Sequence, residues 1–151
     1  RKRQMIPVLV TSMNRRTFDS TGHITNSLGD YPEAMRQTGK EENVPVIDLN
    51  AMSKVLYEAW GPEKSIKAFV HFPANSFPNQ PNELKDNTHF TAYGAYELAK
   101  CIVNGIKQNV PSLARYLKEN LQPFDPSHPD AFENWKLPSS AFIGSVKPDG
   151  N

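Results

Sequence analysis

An aspartate and a histidine three residues apart are the side chains of this sequence best suited to acid–base chemistry. Asp86 and His89 stand in the segment Asp86-Asn87-Thr88-His89-Phe90, directly before a helical pattern. In a chain that folds back on itself, the Asp86 carboxylate can accept a hydrogen bond from one ring nitrogen of His89 and leave the other nitrogen facing outward. A neutral imidazole held in this way can take a proton from a hydroxyl and return it to a leaving group. Asp and Thr before a helix are also ordinary capping residues, so Asp-x-x-His alone is a weak pattern.

Two arginines lie where a strand is predicted to end. Residues 5–13 form an almost continuous apolar run, which predicts a short strand buried on both faces, as in a parallel sheet. Arg15 and Arg16 follow it, and binding groups gather at the carboxyl ends of strands in open α/β sheets. Either guanidinium could bind an anionic group of a substrate. The alternative is a surface arginine in a salt bridge.

Strands and helices alternate in the first half of the chain. The sequence predicts a helix from Asp30 to about Glu42 and a second buried strand at residues 44–49. A further helix, capped by Asn50, is predicted to stop at Gly61-Pro62. This alternation is typical of a parallel sheet with helices packed on its faces.

The region before the Asp-x-x-His segment is predicted to be a long loop. Prolines and asparagines interrupt residues 61–85, within which residues 68–72 could form a short extended segment. A strong helix capped by Thr91 is then predicted to end near Asn109, and a last short helix is predicted at residues 112–121.

The last thirty residues differ from the rest in composition. Residues 122–151 carry five prolines, which argue against regular structure, and four large aromatic residues, which argue against disorder: Phe124, Phe132, Trp135 and Phe142. We predict two parts, a domain of residues 1–121 and an ordered strap of residues 122–151 that docks its rings on that domain. The rings could alternatively stack on sugar faces.

Charge and composition exclude several classes of partner. The chain has 17 basic and 16 acidic side chains, so nothing favours electrostatic capture of nucleic acid or of an anionic membrane. No apolar run approaches membrane-spanning length, and no signal peptide is visible. Cys101 is the single cysteine, so an internal disulfide is impossible.

Taken in order, these segments resemble an SGNH (GDSL-type) hydrolase. Within these hydrolases, the segments most resemble the rhamnogalacturonan acetylesterase group, carbohydrate esterase family 12. The resemblance covers roughly residues 5–107, which correspond to the carboxyl-terminal half of such an enzyme. The matching segments are residues 8–11, 15–18, 28–32, 44–49, 86–90 and 93–95, with the helix that follows.

The resemblance implies a flavodoxin-like three-layer α/β/α fold with a parallel sheet. It also implies a Ser-His-Asp triad that removes acetyl groups from plant polysaccharide through an acyl-enzyme, without a cofactor. Asp86 matches the family's triad Asp and His89 its triad His, and Arg15 or Arg16 could contact a uronate of the substrate. A secreted or periplasmic location follows from this substrate class.

The nucleophile of the family has no counterpart in this sequence. Its serine lies in a Gly-Asp-Ser block near the amino terminus, and that serine's N–H, a Gly and an Asn form the oxyanion hole, all ahead of the first strand here. Gly29-Asp30-Tyr31 is not a substitute, and no Gly-x-Ser-x-Gly segment exists. We therefore expect the serine on an amino-terminal half of the same hydrolase, outside this chain, covering an open sheet edge.

Two other interpretations stay open at this point. The chain could be a non-catalytic carbohydrate- or protein-binding module with a degenerate hydrolase fold. The second interpretation is a metal site, although the four histidines available for it are far apart in the sequence. They are His23, His71, His89 and His128.

Overall fold

The structure is a computed structural model that describes residues 5–137 and residue 139. The far end of the predicted strap, including Phe142, lies outside these residues. None of the helices in the described part is long and apolar enough to cross a membrane.

Two short strands form a parallel pair. Strand β1 (Leu9–Val10) pairs with β2 (Val46–Ile47), and helix α1 (Tyr31–Glu41) lies in the connection between them. Parallel strands need such a crossover, because the chain must return from the end of the first strand to the level of its beginning before the second strand can start. The predicted α/β class is confirmed at this level.

The first strand is shorter and less buried than the sequence predicted. Met5 and Ile6 are 65% and 68% exposed, and Val10 is 39% exposed. Among the described residues, β1 pairs with β2 and with no strand on its other side. The prediction of a strand buried on both faces is therefore wrong for this chain as described, because nothing in it covers that edge.

Helix α2 (Leu49–Lys64) begins directly after β2. Its N-cap is Asp48 and not the predicted Asn50, since the Asp48 carboxylate accepts a hydrogen bond from the Ala51 amide at 3.2 Å. The predicted stop at Gly61 is a break in the helix, where φ is 70°, and one more turn follows it.

An antiparallel hairpin replaces part of the predicted long loop. A 3₁₀ turn (Ser65–Ala68) leads into β3 (Phe69–Phe72), which agrees with the extended segment expected there. Strand β4 (Leu84–Phe90) pairs with β3, although the sequence predicted a loop. The residues of β4 that pair with β3 are Leu84, Lys85 and Phe90, whereas Asp86 and Asn87, which favour turns, lie between the paired positions.

Helix α3 (Ala92–Asn109) has the bounds that the sequence predicted. Thr91 is its N-cap, with the Thr91 Oγ1 atom accepting a hydrogen bond from the Gly94 amide at 3.3 Å. Cys101, on this helix, is fully buried, and burial raises the pKa of its thiol to about 12. The core that α2, α3 and β3 enclose comprises Ile24, Leu49, Leu56, Tyr57, Trp60, Ala68, Phe69, Tyr93, Leu98 and Cys101.

The last predicted helix is much shorter than expected. Helix α4 covers only Pro111–Ala114, and turns follow it up to the strap. In the described part of the strap, Phe132–Asn134 forms a 3₁₀ turn.

The described part of the strap lies along α3. The rings of Phe132 and Trp135 meet the Tyr93 ring edge-on, with centroids 5.2 and 5.8 Å away. The Tyr93 hydroxyl donates to the Asp130 carbonyl at 2.6 Å. The division of the chain at residue 121 stays a prediction.

A lysine joins the strap to a buried acid of α3. The Lys100 Nζ atom lies 2.8 Å from the fully buried Glu97 carboxylate and 2.7 Å from Asp130 of the strap. The same ammonium lies 4.2 Å from the centroid of the Phe124 ring. Burial raises the pKa of Glu97, and the pairing with Lys100 opposes that effect.

At Gly94 helix α3 lies close to Ala68, the last residue of the 3₁₀ turn before β3, and we predict that Gly94→Ala destabilises the protein. A Cβ at this position would meet the Ala68 carbonyl oxygen and lie 2.9 Å from its carbon. Alanine normally favours a helix by about 1 kcal/mol over glycine. Because a backbone carbonyl cannot swing away, we expect the free energy of unfolding to fall by about 1–3 kcal/mol in a denaturant titration.

Gly105→Ala is the matched control for this substitution. A Cβ at Gly105 would meet side-chain atoms of Ile47 and no backbone group, and a side chain shifts more easily than a backbone carbonyl, so a smaller loss is expected. A Gly94→Ala protein as stable as the parent would contradict the close approach of α3 to Ala68.

Candidate active site

The segment 86–89 is a bulge in the hairpin of β3 and β4. Two residue pairs flank the bulge: Phe69 with Phe90, and His71 with Lys85. Position 70 of β3 therefore lies opposite the four residues 86–89 of β4. Extra residues in one strand bend it and re-aim its side chains, so these four residues leave the regular ladder.

Asp86 organises the bulge from inside. One carboxylate oxygen accepts the amide N–H groups of Thr88 and His89, at 2.7 and 2.9 Å. The other oxygen accepts a hydrogen bond from the His89 Nδ1 atom at 2.6 Å. The turn is therefore the one that the sequence predicted, with the acid bonded to one ring nitrogen.

These hydrogen bonds keep the carboxylate ionised. They lower the pKa of Asp86 to about 2, with the His89 amide contributing most, then the His89 ring and the Thr88 amide. Because the acid holds a proton on Nδ1, the Nε2 atom of a neutral His89 is an acceptor. The His89 side chain is 78% exposed, so a hydroxyl can reach that atom.

The guanidinium of Arg16 forms hydrogen bonds with other groups of the protein. Its Nε atom donates to the buried Ser65 hydroxyl at 2.8 Å, and its Nη1 atom donates to the Asn87 Oδ1 atom at 3.2 Å. Its Nη2 atom donates to the Pro62 carbonyl. The guanidinium thus joins the loop after β1 to the end of α2 and to the bulge.

Arg15 is placed differently from its neighbour. It is exposed, and its guanidinium forms no hydrogen bond or ion pair with another residue of the described ranges. Of the two predicted substrate-binding arginines, Arg15 is the one with a guanidinium accessible to a ligand. Binding by either residue stays a prediction.

Sequence reasoning missed the role of Asn87. Its side-chain oxygen lies 2.9 Å from the His71 Nε2 atom and also accepts the hydrogen bond from Arg16. No pattern in the sequence announces these contacts, because they depend on the register of the hairpin and on a segment 71 residues away.

A second Asp-x-x-His turn lies in the strap. The His128 Nδ1 atom is 2.9 Å from the Asp125 carboxylate, and hydrogen bonds lower the pKa of Asp125 to about 2 as well. The Ser127 hydroxyl lies 2.9 Å from the same ring nitrogen. Serine and acid thus share one nitrogen, which is not the arrangement of a Ser-His-Asp triad, where they contact opposite nitrogens.

The histidines do not assemble a metal site in the described part of the chain. No group of three or more His, Cys, Asp and Glu side chains is placed there to hold a metal ion. His23, for example, has the Glu58 carboxylate at 3.4 Å as its acidic neighbour.

Comparison with known proteins gives sequence relatives for this chain. No family profile matches it, and no solved structure matches it. It is 54% identical over 102 residues to the rhamnogalacturonan acetylesterase RhgT of Bacillus subtilis (strain 168), covering 68% of this chain and 44% of RhgT. It is 36% identical over 114 residues to the probable rhamnogalacturonan acetylesterase YesY of the same strain, covering 75% of this chain and 48% of YesY.

The chain spans about half the length of these curated relatives, and the match to RhgT falls in the carboxyl-terminal part of that protein. The resemblance seen in the sequence is therefore confirmed, and this chain is related to the carboxyl-terminal part of rhamnogalacturonan acetylesterases.

Proposed function

We propose that this chain supplies the acid–base part of a serine carbohydrate esterase that removes O-acetyl groups from rhamnogalacturonan-type pectin. The observation that carries the proposal is the hydrogen bond between Asp86 and the Nδ1 atom of an exposed His89, 2.6 Å long. It occurs in a chain that is 54% identical to a rhamnogalacturonan acetylesterase over 102 residues.

In this proposal each member of the pair has one role. The His89 Nε2 atom takes the proton of a serine hydroxyl, and the serine oxygen attacks the acetyl carbonyl to form a tetrahedral intermediate. The imidazolium then returns the proton to the sugar oxygen as the C–O bond to the acetyl carbon breaks. In the second half His89 activates water in the same way, which releases acetate, and Asp86 stabilises the imidazolium each time. The route requires no cofactor.

The serine belongs to a segment outside this chain. We infer an amino-terminal half of the same hydrolase that packs against the free edge of β1 and completes a three-layer α/β/α fold. The exposed apolar residues at and before β1 support this placement, because an unpaired strand edge with apolar side chains favours association. They are Met5, Ile6 and Val10.

Arg15 is the better candidate of the two arginines for the substrate. Arg15 follows β1 and has an exposed guanidinium, whereas the guanidinium of the neighbouring Arg16 donates hydrogen bonds to three groups of the protein. An acetylated polysaccharide or oligosaccharide with uronate groups offers the carboxylate that a guanidinium binds. A polysaccharide of this kind places the enzyme outside the cytoplasm, secreted or periplasmic.

The binding-module alternative depends on the aromatic strap. Phe132 and Trp135 rest on Tyr93, and Phe124 lies against the Lys100 ammonium. Rings that are packed against α3 in this way offer less face to a sugar than free rings would. The activity tests below separate this alternative from the esterase.

We predict that His89→Ala abolishes hydrolysis of a small aryl acetate. The complete native protein, with the segment that carries its serine, is the preparation to assay for acetate release. Loss of the base from a serine triad lowers kcat by at least about 1,000-fold.

His128→Ala is the matched control for that assay. It removes an exposed imidazole with the same local Asp-x-x-His geometry, and turnover is expected to stay at the parent level. Equal turnover in the His89→Ala protein and the parent would exclude His89 as the base. No turnover in either protein, with the serine-bearing segment present, would favour the binding module.

We predict a loss of about 10⁴-fold in kcat for Asp86→Asn, because the amide no longer fixes the Nδ1–H tautomer. Asp125→Asn, in the second turn, should leave kcat unchanged.

The pH profile tests the ionisation of Asp86 in the parent protein. A carboxylate with a pKa of about 2 stays charged as the medium is acidified, until the pH falls through that value. On the acid side, a plot of the logarithm of kcat/KM against pH should therefore have a slope of one down to about pH 3, because only one essential group binds a proton in that range. A slope that steepens to two between about pH 4 and pH 3 would show that Asp86 titrates as an ordinary carboxyl group.

A further inference from the structure

Asn87 ties the bulge to the rest of the protein through both its main chain and its side chain. Its carbonyl oxygen accepts the Arg16 amide N–H at 2.9 Å. Its Oδ1 atom accepts the Arg16 Nη1–H at 3.2 Å and lies 2.9 Å from the His71 Nε2 atom. Three contacts thus converge on the residue directly after Asp86.

The donor and the acceptor in each of these contacts are fixed. All nitrogens of a guanidinium are donors, so the amide group of Asn87 must turn its oxygen, and not its NH₂, toward Arg16. The same oxygen faces the His71 Nε2 atom, which must therefore carry a proton. Arg16 thereby sets the tautomer of His71 through Asn87.

Arg16 is a firm anchor for this chain of contacts. Its Nε atom is bonded to the fully buried Ser65 hydroxyl, and its Nη2 atom is bonded to the Pro62 carbonyl. His71 provides the second anchor, because it lies on β3, the strand that pairs with β4. The bulge is therefore held from two directions.

The strap turn shows what an Asp-x-x-His turn lacks by itself. Pro126 occupies the position that corresponds to Asn87, and a proline offers neither a side-chain acceptor nor an N–H group. Asp125 and His128 are bonded to each other there, as Asp86 and His89 are. The acid orients the imidazole within the turn, but it does not place the turn relative to the protein.

We propose that Asn87 is the positioning residue of this site, which places His89 by tying the bulge to Arg16 and His71 and fixes His71 as the Nε2–H tautomer. Asn87 acts through its neighbours and makes no contact with the substrate. The catalytic consequence rests on the proposed function, whereas the tautomer and the anchoring of the bulge do not.

The kinetic test is Asn87→Ala in the complete native protein, assayed with a small aryl acetate. A displacement of about 1 Å at the reacting atoms is worth up to ~100-fold in rate, so we expect kcat to fall by about 10- to 100-fold. KM should change little. Asn82→Ala makes the same chemical change at an exposed position ahead of β4 and should leave both constants at the parent values.

Two further measurements do not depend on activity. Nitrogen chemical shifts in a ¹H–¹⁵N spectrum should show His71 as Nε2–H in the parent and as a mixture of tautomers in Asn87→Ala. Hydrogen exchange at the Thr88 and His89 amides should be faster in that variant than in the Asn82→Ala control.

The outcomes separate the two proposals. An inactive parent protein would contradict the esterase, and the exchange rates and the His71 tautomer would still decide the role of Asn87. An active parent with unchanged kcat in Asn87→Ala, or a His71 that carries its proton on Nδ1, would overturn the positioning role.

Asn87→Asp decides the matter if the alanine variant does not fold. Aspartate keeps an oxygen that can accept from both Arg16 and His71, so the Nε2–H tautomer and the parent exchange rates should persist. Loss of either in a folded Asn87→Asp protein would overturn the proposal.

Discussion

The carboxylate of Asp86 accepts hydrogen bonds from two amides and one imidazole within the next three residues. This interaction defines the bulge, keeps the acid ionised and sets the free nitrogen of His89. The neighbouring elements act on a turn that already has its internal geometry. What they add is its position, which no contact within residues 86–89 can provide.

The junction of the hairpin with α3 contributes to this position, together with the contacts of Asn87 with Arg16 and His71. Thr91 caps the helix, and it also donates its hydroxyl to the Lys67 carbonyl at 2.8 Å and its amide to the Ala68 carbonyl at 3.0 Å. His89 lies two residues before this junction. The absence of a side chain at Gly94 lets the helix come close enough for these bonds, so packing and site geometry are coupled at this point.

The sequence could predict the parts of this structure that short-range chemistry determines. The Asp86–His89 contact, the Thr91 cap and the bounds of α3 depend on residues three or four positions apart, and they agree with the predictions. The choice of Asp48 over Asn50 as a cap could not be predicted, since both residue types are good N-caps.

Longer-range features lay beyond sequence reasoning for physical reasons. The hairpin of β3 and β4 depends on pairing between residues that are far apart in the sequence, and its register determines which residues form the bulge. The burial of the first strand depends on what covers its edge. The engagement of Arg16 depends on groups 46, 49 and 71 residues away, which no local pattern encodes.

The bulge also has a consequence for the order of events in folding. A contact between residues three apart needs almost no loop closure, and loops of about ten residues close within roughly 10–100 ns. The bond between Arg16 and Asn87 spans 71 residues and must wait until the long-range contacts form. The Asp–His pair can therefore close quickly and reversibly by itself, whereas its place relative to Arg16 requires the long-range contacts of the folded chain.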